Sequence, residues 1–600
     1  MPQLEWRDPN DTLERRFREA GLSLQDPRIA KFFSITSEML DLPRHLGQHS
    51  GGMVICAGQL DSIVPLEPAT MPGRVVVQWD KDDCADMKIV KVDLLGLGMM
   101  AVLQDCLEVI PQHYGTTVDL AHLPQNDPLI YEALQQADTL GLFQVESRAQ
   151  QAILPRMKPK CFYDVVIQVA IIRPGPIVGD MLHPFLRRRQ GLEQPESLHP
   201  WLDQVLERTL GVPLFQEQLL RMAMIVANFT GGEAEELRRA MGFKRSEKRM
   251  RDVETKLRLG MTQNAIAPDV QERIVQAITS FALYGFPESH AASFALIAYA
   301  SAYLKCHYLA AFTICMLNNQ PMGFYSPATL VKDAQRHGQR FRPVEIQHSD
   351  YTCTIEEDGG TLYVRLGFNY VRGLRGSVAQ AILAARQAGP FLSLRDLIGR
   401  FPELNKKEIA ALAELGALNA LPKDEGDRHR RGALWQASAA AKPVGPLLET
   451  AVEESSQSPL APMTPTQCVF SDFSNSGLTI GKHPMTFHRE RLRAMGILDS
   501  ETAKAGRNGS VVKIAGCVIT RQRPGTAKGF VFLSLEDETG IVNVIVNPDL
   551  FERRHRVCVT EPYLLIKGIL QNTWGVISVR AADLESLSLG EQTVSSHDFH

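Results

Sequence analysis

KIVKVDLLGLG, residues 88–98, is the stretch on which the fold turns. It reads as a buried β-strand closed by a Gly-rich turn. Side chains alternate between the two faces of a strand. Lys91 and Asp93 therefore share one face, and Val90, Val92 and Leu94 share the other. A cation and a carboxylate on the polar face of an apolar strand make half of a phosphate-and-metal site. A surface ion pair fits the same spacing equally well. The segments on either side of the strand decide between them.

Upstream, HSGGMVICAG (49–58) and GRVVVQWDKDD (73–83) carry further strand signals, and residues 1–47 read as short helices with polar loops. Asp80, Asp82 and Asp83 in the DKDD run offer a metal pair on paper, but Asp between two strands is ordinary turn chemistry. Downstream, 99–345 is mostly helical by periodicity, 350–370 alternates as a short β element, and 371–420 returns to helices with Gly turns. Residues 421–470 are rich in Ala, Pro, Glu and Ser and read as linker. Between 510 and 590 five short strands succeed one another: VVKIAGCVIT, GFVFLSLEDETG, IVNVIVN, PYLLIKGIL and WGVISVRAADLE. That spacing predicts a small barrel of the OB type.

Six hundred residues predict several domains. The net charge of −4 excludes a globally basic nucleic-acid binder, so any basic surface is local. Residues 141–260 supply one, with 19 Lys and Arg against 14 Asp and Glu. Ten cysteines without a CxxC pair speak against a zinc ribbon and for reduced thiols in a cytosol. The start, MPQLEWRDPND, does not read as a signal peptide. The apolar run Ala291 to Leu304 is too short to span a bilayer and predicts a buried helix.

LRRAMGFKRSEKRMR (237–251) is the densest basic segment. A helix carrying Arg238 and Arg239 should stop at Gly242, with Lys244 in the turn beyond, and such a corner grips a triphosphate from two directions. A merely solvated helix face is the plainer reading. In IIRPGPIVGD (171–180), Arg173 precedes a rigid Pro-Gly-Pro turn, which limits where its guanidinium reaches. FALYGFPESHAASFALIAYASAYLK (281–305) brings Tyr284, Ser289 and His290 to the head of the long apolar helix, with Ser289 as its expected N-cap. VRGLRGSVAQAILAARQAGPF (371–391) sets Gly373, Arg375 and Gly376 at a helix start, where backbone N–H groups meet phosphates. A weaker copy, AELGALNAL (413–421), comes after LNKKEIAAL, which carries Lys406 and Lys407. Paired helix-hairpin-helix units hold a DNA backbone without reading sequence; a plain αα-hairpin is the alternative. No Walker A, HExxH, GxSxG or GxGxxG fingerprint is present.

These segments, taken together, resemble one family. FQVESRAQQAILPRMKPKCFYDVVIQVAIIRPGP, LFQEQLLRMAMIVANFTGGEAEELRRAMG and YGFPESHAASFALIAYASAYLKCHY resemble the C-family bacterial DNA polymerases (the DNA polymerase III alpha subunit), in order and over nearly the whole chain. KIVKVDLLGLG is similar to the last palm strand of that family. DRHRRGALWQ (427–436), GLTIGKHPMTFHRERL (477–492) and a chain ending in SSHDFH resemble the error-prone, damage-inducible ImuC-type branch. The resemblance implies a multidomain α+β chain with a partial polymerase β-like palm, mainly α-helical fingers, helix-hairpin-helix units and a C-terminal OB-type β-barrel. It divides the chain into a thumb remnant (1–48), the C-terminal part of a palm (49–100), helical fingers (101–348), a hairpin region (349–425), a linker (426–505) and the OB domain (506–592).

The resemblance also implies roles. Asp93 is the third metal-binding carboxylate and Lys91 neutralises the incoming triphosphate. Arg173, Arg238, Arg239 and Lys244 hold the nucleotide, and Tyr284, Ser289 and His290 line the pocket. Gly373, Arg375, Gly376, Lys406 and Lys407 contact the DNA backbone. The implied cofactor is Mg2+. The implied partners are template-primer DNA, deoxynucleoside triphosphates, an ImuB-like Y-family homologue and a sliding clamp reached indirectly, in the cytoplasm and with no membrane. The family's Pro-Asp-x-Asp-x-Asp strand and its PHP domain are not found, so the sequence reads as the C-terminal part of a longer polymerase, inactive alone. A non-catalytic DNA-binding scaffold derived from such a polymerase is the competing expectation.

Overall fold

The computed structural model describes residues 22–39, 51–94, 96–172, 179–242, 247–282, 286–401, 403–421, 429–440, 458–524, 527, 529–573 and 576–588. The chain forms two compact units, Met1–Met100 and Ala101–His600. In the first, helix α1 (Pro27–Met39) precedes strands β1 (Gly52–Ile55), β2 (Leu66–Pro68) and β3 (Val75–Val77), then helix α2 (Lys81–Asp86) and strand β4 (Val90–Asp93). β1 and β4 form an antiparallel two-stranded ladder, and β2 pairs with β3. The 88–98 stretch thus contributes a strand of four residues, and it is not buried: Val90 is 58% exposed, Leu94 65% and Met53 on β1 54%. This corrects the expectation of a buried strand. Helix α2 lies against β4, but among the described residues no third strand joins the ladder, and a two-stranded ladder alone is marginal in water.

The second unit is helical up to residue 336. Its main helices are α3 (Gly98–Tyr114), α4 (Arg148–Met157), α5 (Phe162–Ile171), α6 (Gln216–Ala227), α7 (Gly231–Gly242), α8 (Glu247–Gln263), α9 (Glu288–His307), α10 (Leu309–Asn318) and α11 (Pro327–Arg336). α9 is the central one. Its Ala291, Ala295, Ala298 and Ala302 are buried, and small residues at that spacing let α5 lie close against it. α10 is buried from Ala310 to Leu317. The apolar run that predicts a buried helix therefore forms one, and among the described residues no helix is long and apolar enough to cross a membrane.

α8 crosses α6 at Gly260. A Cβ there would stand 2.2 Å from the Ala227 carbonyl oxygen, closer than any real contact. Gly260→Ala must push two helices apart and should cost about 2–3 kcal/mol, at the upper end of overpacking effects. A denaturation midpoint equal to that of the parent chain would refute this crossing.

A three-stranded sheet of β5 (Arg340–Arg342), β6 (Thr354–Asp358) and β7 (Thr361–Arg365), in the order β5-β7-β6, leads into helices α12 (Gly376–Gln387) and α13 (Lys406–Glu414). Tyr370 donates its hydroxyl to the Leu317 carbonyl at 2.7 Å, and Asn318 exchanges two hydrogen bonds with the Cys353 backbone, so this region is pinned to α10.

Within the segment 426–505, expected as a linker, a helix runs over Arg430–Ala440 and folded structure runs from 458 to 505, which corrects that expectation. Helix α14 (Pro465–Ser476) opens on a capping box between Thr464 and Gln467, and buries Val469 and Phe470. Its Asn475 donates to the Glu414 carboxylate and its Ser471 hydroxyl to the Glu414 carbonyl, both at the end of α13. Met485, Leu492 and Ile497 then pack on Ala515, Cys517 and Tyr563 of the barrel.

The barrel is closed and five-stranded: β8 (Val511–Gln522), β9 (Val531–Glu536), β10 (Ile541–Val546), β11 (Tyr563–Thr573) and β12 (Val576–Ser586). The order is β10-β12-β11-β8-β9, with the parallel β10–β12 pair closing it. Alternation sets its faces: Val542, Val544 and Val546 enter the core while Ile541, Asn543 and Ile545 point out half-buried. All five expected strands are present.

Candidate nucleic-acid interface

Lys91 and Asp93 lie on one face of β4, as the alternation requires. In the ladder Asp93 stands opposite Gly52 and Lys91 opposite Val54. Both are exposed. Among the described residues no second carboxylate joins it in the ladder. Asp80 and Asp83 are spent otherwise: Asp83 N–H donates to Asp80 Oδ1 at 2.8 Å and Asp80 N–H to Asp83 Oδ2 at 3.3 Å, a reciprocal cap for α2. Magnesium demands near-octahedral oxygen ligation. One carboxylate on an exposed ladder does not by itself meet that demand.

The described residues do contain one cluster with metal-ligand chemistry: Asp138, Asp333 and His337. A protein cation already fills it. Lys305 Nζ, buried at the end of α9, lies 3.2 Å from Asp138 and 2.8 Å from Asp333. His337 Nε2 reaches Asp138 at 2.5 Å. That hydrogen bond raises the His337 pKa to about 8 against the opposing effect of burial. Burial works against the Asp138 charge, but the bonds from His337 and Lys305 prevail and hold its pKa down to about 2. The network ties three chain segments together as a structural device.

Of the expected nucleotide-binding residues, Arg238 and Arg239 fall in the last turns of α7, which ends at Gly242. Arg173, Lys244 and Tyr284 lie outside the described residues. Ser289 and His290 are exposed at the start of α9. Ser289 is not the N-cap: Pro287 takes that position, at φ −62° and ψ 126°. The Glu288 N–H is met instead by the Glu217 carboxylate at 2.8 Å, and the Glu288 carboxylate accepts the Tyr163 hydroxyl at 2.7 Å. A proline at the cap already fixes the entry angle, and Glu217 supplies the acceptor that a serine would have given. His290 stacks between Phe286 and Phe294, with ring centroids at 5.1 and 4.2 Å. Phe294 meets Phe143 edge-on. An exposed imidazole is thereby held on an aromatic row.

The hairpins are the most built part of the interface. Gly373 has φ +82°, which L side chains rarely adopt, and Gly376 begins α12. Arg372 anchors the turn by donating its N–H to the Asn475 carbonyl at 2.7 Å, with its guanidinium on the last carbonyls of α14. Arg375, half of whose side chain is exposed, turns its guanidinium to α13. Its guanidinium holds the fully buried Glu408 through bonds of 2.8 and 3.0 Å, and its backbone N–H donates to the same carboxylate. Glu408 also closes the capping box of α13 with Asn405. One carboxylate therefore sets the starts of α12 and α13 side by side. Lys406 and Lys407, beside that junction, are exposed. Sequence reasoning missed this clamp because its partners are 33 residues apart.

It also missed the seam between α11 and the barrel. Arg336 pairs with the buried Glu536 at 2.7 Å and donates to the Asp537 carbonyl. Arg489 holds Glu538 and Asp537 in the next turn. Burial pushes the Glu536 carboxyl above its usual range, with the Arg336 charge opposing.

Four family models match in this order: the bacterial DNA polymerase III alpha NTPase domain over 3–96, the bacterial DNA polymerase III alpha subunit finger domain over 99–265, a helix-hairpin-helix motif over 338–430 and an OB-fold nucleic acid binding domain over 512–587. The chain is similar to the bacterial DNA polymerase III alpha family. An error-prone DNA polymerase of Alkalilimnicola ehrlichii is 43% identical over 600 residues, covering 100% of this chain and 58% of the relative. Error-prone DNA polymerase 2 of Agrobacterium fabrum is 44% identical over 597 residues, 97% of this chain and 54% of its own length. The error-prone DNA polymerase of Pseudomonas aeruginosa is 44% identical over 602 residues, 99% and 57% respectively. The chain thus spans a little over half the length of these curated relatives. Polymerases of this family use divalent metal ions.

Proposed function

We propose that this chain provides the nucleotide-gripping fingers, the DNA-holding hairpins and the OB barrel of an error-prone DNA polymerase acting in damage-induced mutagenesis and translesion repair synthesis. The carrying observation is the 43% identity to an error-prone DNA polymerase along all 600 residues. The reaction is nucleotidyl transfer, in which a primer 3′-hydroxyl attacks the α-phosphate of a deoxynucleoside triphosphate and pyrophosphate leaves. Magnesium, when bound with the full carboxylate set, supplies charge neutralisation at that phosphate. Here Asp93 contributes one ligand and Lys91 a cation. Arg173, Arg238, Arg239 and Lys244 bind the triphosphate, and Tyr284, Ser289 and His290 face the nascent pair. Gly373, Gly376, Lys406 and Lys407 lie along the duplex backbone, with Arg375 placing them through Glu408. The setting is the cytoplasm. An ImuB-like Y-family homologue is the partner, and a sliding clamp is reached through it.

A scaffold without catalysis is the second reading, favoured by the single carboxylate of the β1–β4 ladder. Both readings need phosphate contacts, and these are tested first. Affinity of the chain for primed DNA should fall with salt with a log–log slope of roughly −0.9 per phosphate neutralised. Lys406→Glu with Lys407→Glu should weaken binding and flatten that slope by about two such contacts. Salt-independent affinity, or an unchanged slope in the double variant, would remove the hairpins from the interface.

A further inference from the structure

Lys513 of β8 and Lys567 of β11 stand directly opposite one another in the barrel, and both are exposed. Like charges so placed repel and weaken the sheet. No carboxylate relieves them. Asp583 of β12, opposite Lys567, is held instead by the Arg554 guanidinium at 3.1 and 3.3 Å. Glu585, one row further, stands opposite Leu565 and pairs with neither lysine. Arg580 of β12 is exposed as well and has no ion-pair partner among the described residues. The adjacent row is apolar. Val511 stands opposite Ile569, which stands opposite Arg580 in turn. Val511 is 67% exposed, more than any other large apolar side chain of the described residues, and Ile569 is 42% exposed.

These side chains form one surface. Residues two apart on a strand share a face, so the Val511–Ile569–Arg580 row and the Lys513–Lys567 row lie side by side. The register of β11 on β12 shifts between Lys567 and Gly568, and a Cβ on Gly568 would stand 2.4 Å from the Arg580 carbonyl oxygen. A bulge re-aims the side chains beside it, here Lys567 and Arg580. The row beyond the lysines, Ala515 and Leu565, is covered by Met485, Leu492 and Ile497, which wall the surface at that end. In the order β10-β12-β11-β8-β9, β11 is two strands from both β9 and β10, so this is the side of the barrel away from that pair. The chemistry selects the occupant. Neither row holds an aromatic ring on which a base would stack. A sugar-phosphate chain has nothing to set on Val511 and Ile569. An acidic peptide with an apolar side chain offers both halves: carboxylates for the cations, and a group that takes the aliphatic pair out of water.

We propose that this outer face of β8, β11 and β12 docks a short acidic segment of a partner protein, with an apolar side chain seated on Val511 and Ile569 and carboxylates on Lys513, Lys567 and Arg580. The site serves recruitment and does not depend on whether this chain extends a primer.

The test uses the 600-residue chain and an array of synthetic peptides in which the acidic residues and an apolar residue are varied in place. Fluorescence anisotropy with the strongest labelled peptide follows. Peptides that join several carboxylates to a Leu, Ile or Phe should lead the array, and their affinity should fall as salt rises. Exchange of the acids for Asn and Gln, or of the apolar residue for Ser, should each remove most of the signal. Lys513→Glu should lower peptide affinity roughly tenfold or more at low salt. Its melting midpoint should stay level or rise, since a carboxylate then faces Lys567. Ile569→Ser should lower affinity about three- to tenfold and leave the salt dependence unchanged, as loss of an apolar contact does. An array without binders at low salt, or one led by neutral or basic peptides, would overturn the proposal. So would a peptide affinity unchanged in Lys513→Glu. Two further results would overturn it by naming another occupant. One is a labelled single-stranded oligonucleotide that loses more affinity in Lys513→Glu than the peptide does. The other is self-association of the parent chain that Ile569→Ser abolishes, which would make the face a contact between two copies.

Discussion

Purified residues 1–600, given primed template, magnesium and all four deoxynucleotides, are expected to leave the primer unextended. The reason is the donor set on the β1–β4 ladder. Asp93 faces Gly52, which carries no side chain, and the neighbouring acids Asp80 and Asp83 cap α2. In-line transfer between two bound oxygens needs two ions about 4 Å apart, and each needs several oxygen ligands. A single exposed carboxylate supplies neither the number nor the rigidity. Losing the metal ions from such a reaction removes essentially all of its rate, so the expected effect is qualitative. Binding to the same primed DNA should persist and remain salt-sensitive. Asp93→Ala should leave that binding unchanged, since one exposed carboxylate contributes little to a cationic interface. Extension by the pure chain, abolished in Asp93→Ala, would show that other residues complete the carboxylate set. It would also remove the scaffold reading.

The barrel is legible in the sequence because its information is local. Five alternating runs separated by Gly-bearing turns define strands, and once Val542, Val544 and Val546 must face one way the register is set. α9 is legible for a similar reason: an Ala-rich apolar run that is hydrophobic all round belongs in a core. The exposed β4 is not, since an apolar run reports a preference for burial and not whether neighbouring strands are there to satisfy it. The linker expectation fails through composition. Ala, Pro and Ser between 441 and 457 mask the folded segment beyond them, although Thr464-x-x-Gln467 is a helix-start signal in plain view. At the site, Arg375 stands out in the sequence as a DNA contact, whereas its partner Glu408 is fixed only by tertiary packing. Arg336 carries no sequence signal at all, for an arginine in a helix is normally solvated and only the approach of the barrel buries this one.

That approach gives the second large effect. Arg336→Ala should detach the barrel from α11 and cost about 3 kcal/mol, at the lower end of what breaking a buried ion pair does. The geometry is one-sided. Glu536 sits inside the seam with only 5% of its side chain exposed, and Arg336 Nη2 is its 2.7 Å partner. His483 is the next positive candidate at 3.9 Å, but burial and the cations around it hold its pKa well below the ordinary histidine value, so it is neutral there. Lys332 is committed to the Gly481 carbonyl and Gln335. Removing Arg336 therefore leaves a carboxyl without an ion-pair partner, with only the positive charge of Lys332 acting on it. Protonation of Glu536, whose pKa burial already raises, limits the penalty and puts the cost at the low end. Glu536→Gln removes the charge that needs pairing while keeping an acceptor for Arg336, and should cost clearly less than Arg336→Ala. The double variant should be less damaging than the sum of the two, because each removes the other's unmet partner. Limited proteolysis resolves the consequence. Arg336→Ala should release a fragment containing β8–β12 early, while the closed barrel, with its own core of Leu533, Val544, Leu564 and Val579, resists further cleavage. A parent-like cleavage rate and an unchanged melting midpoint in Arg336→Ala would mean that Arg489, through Asp537 and Glu538, holds the seam by itself.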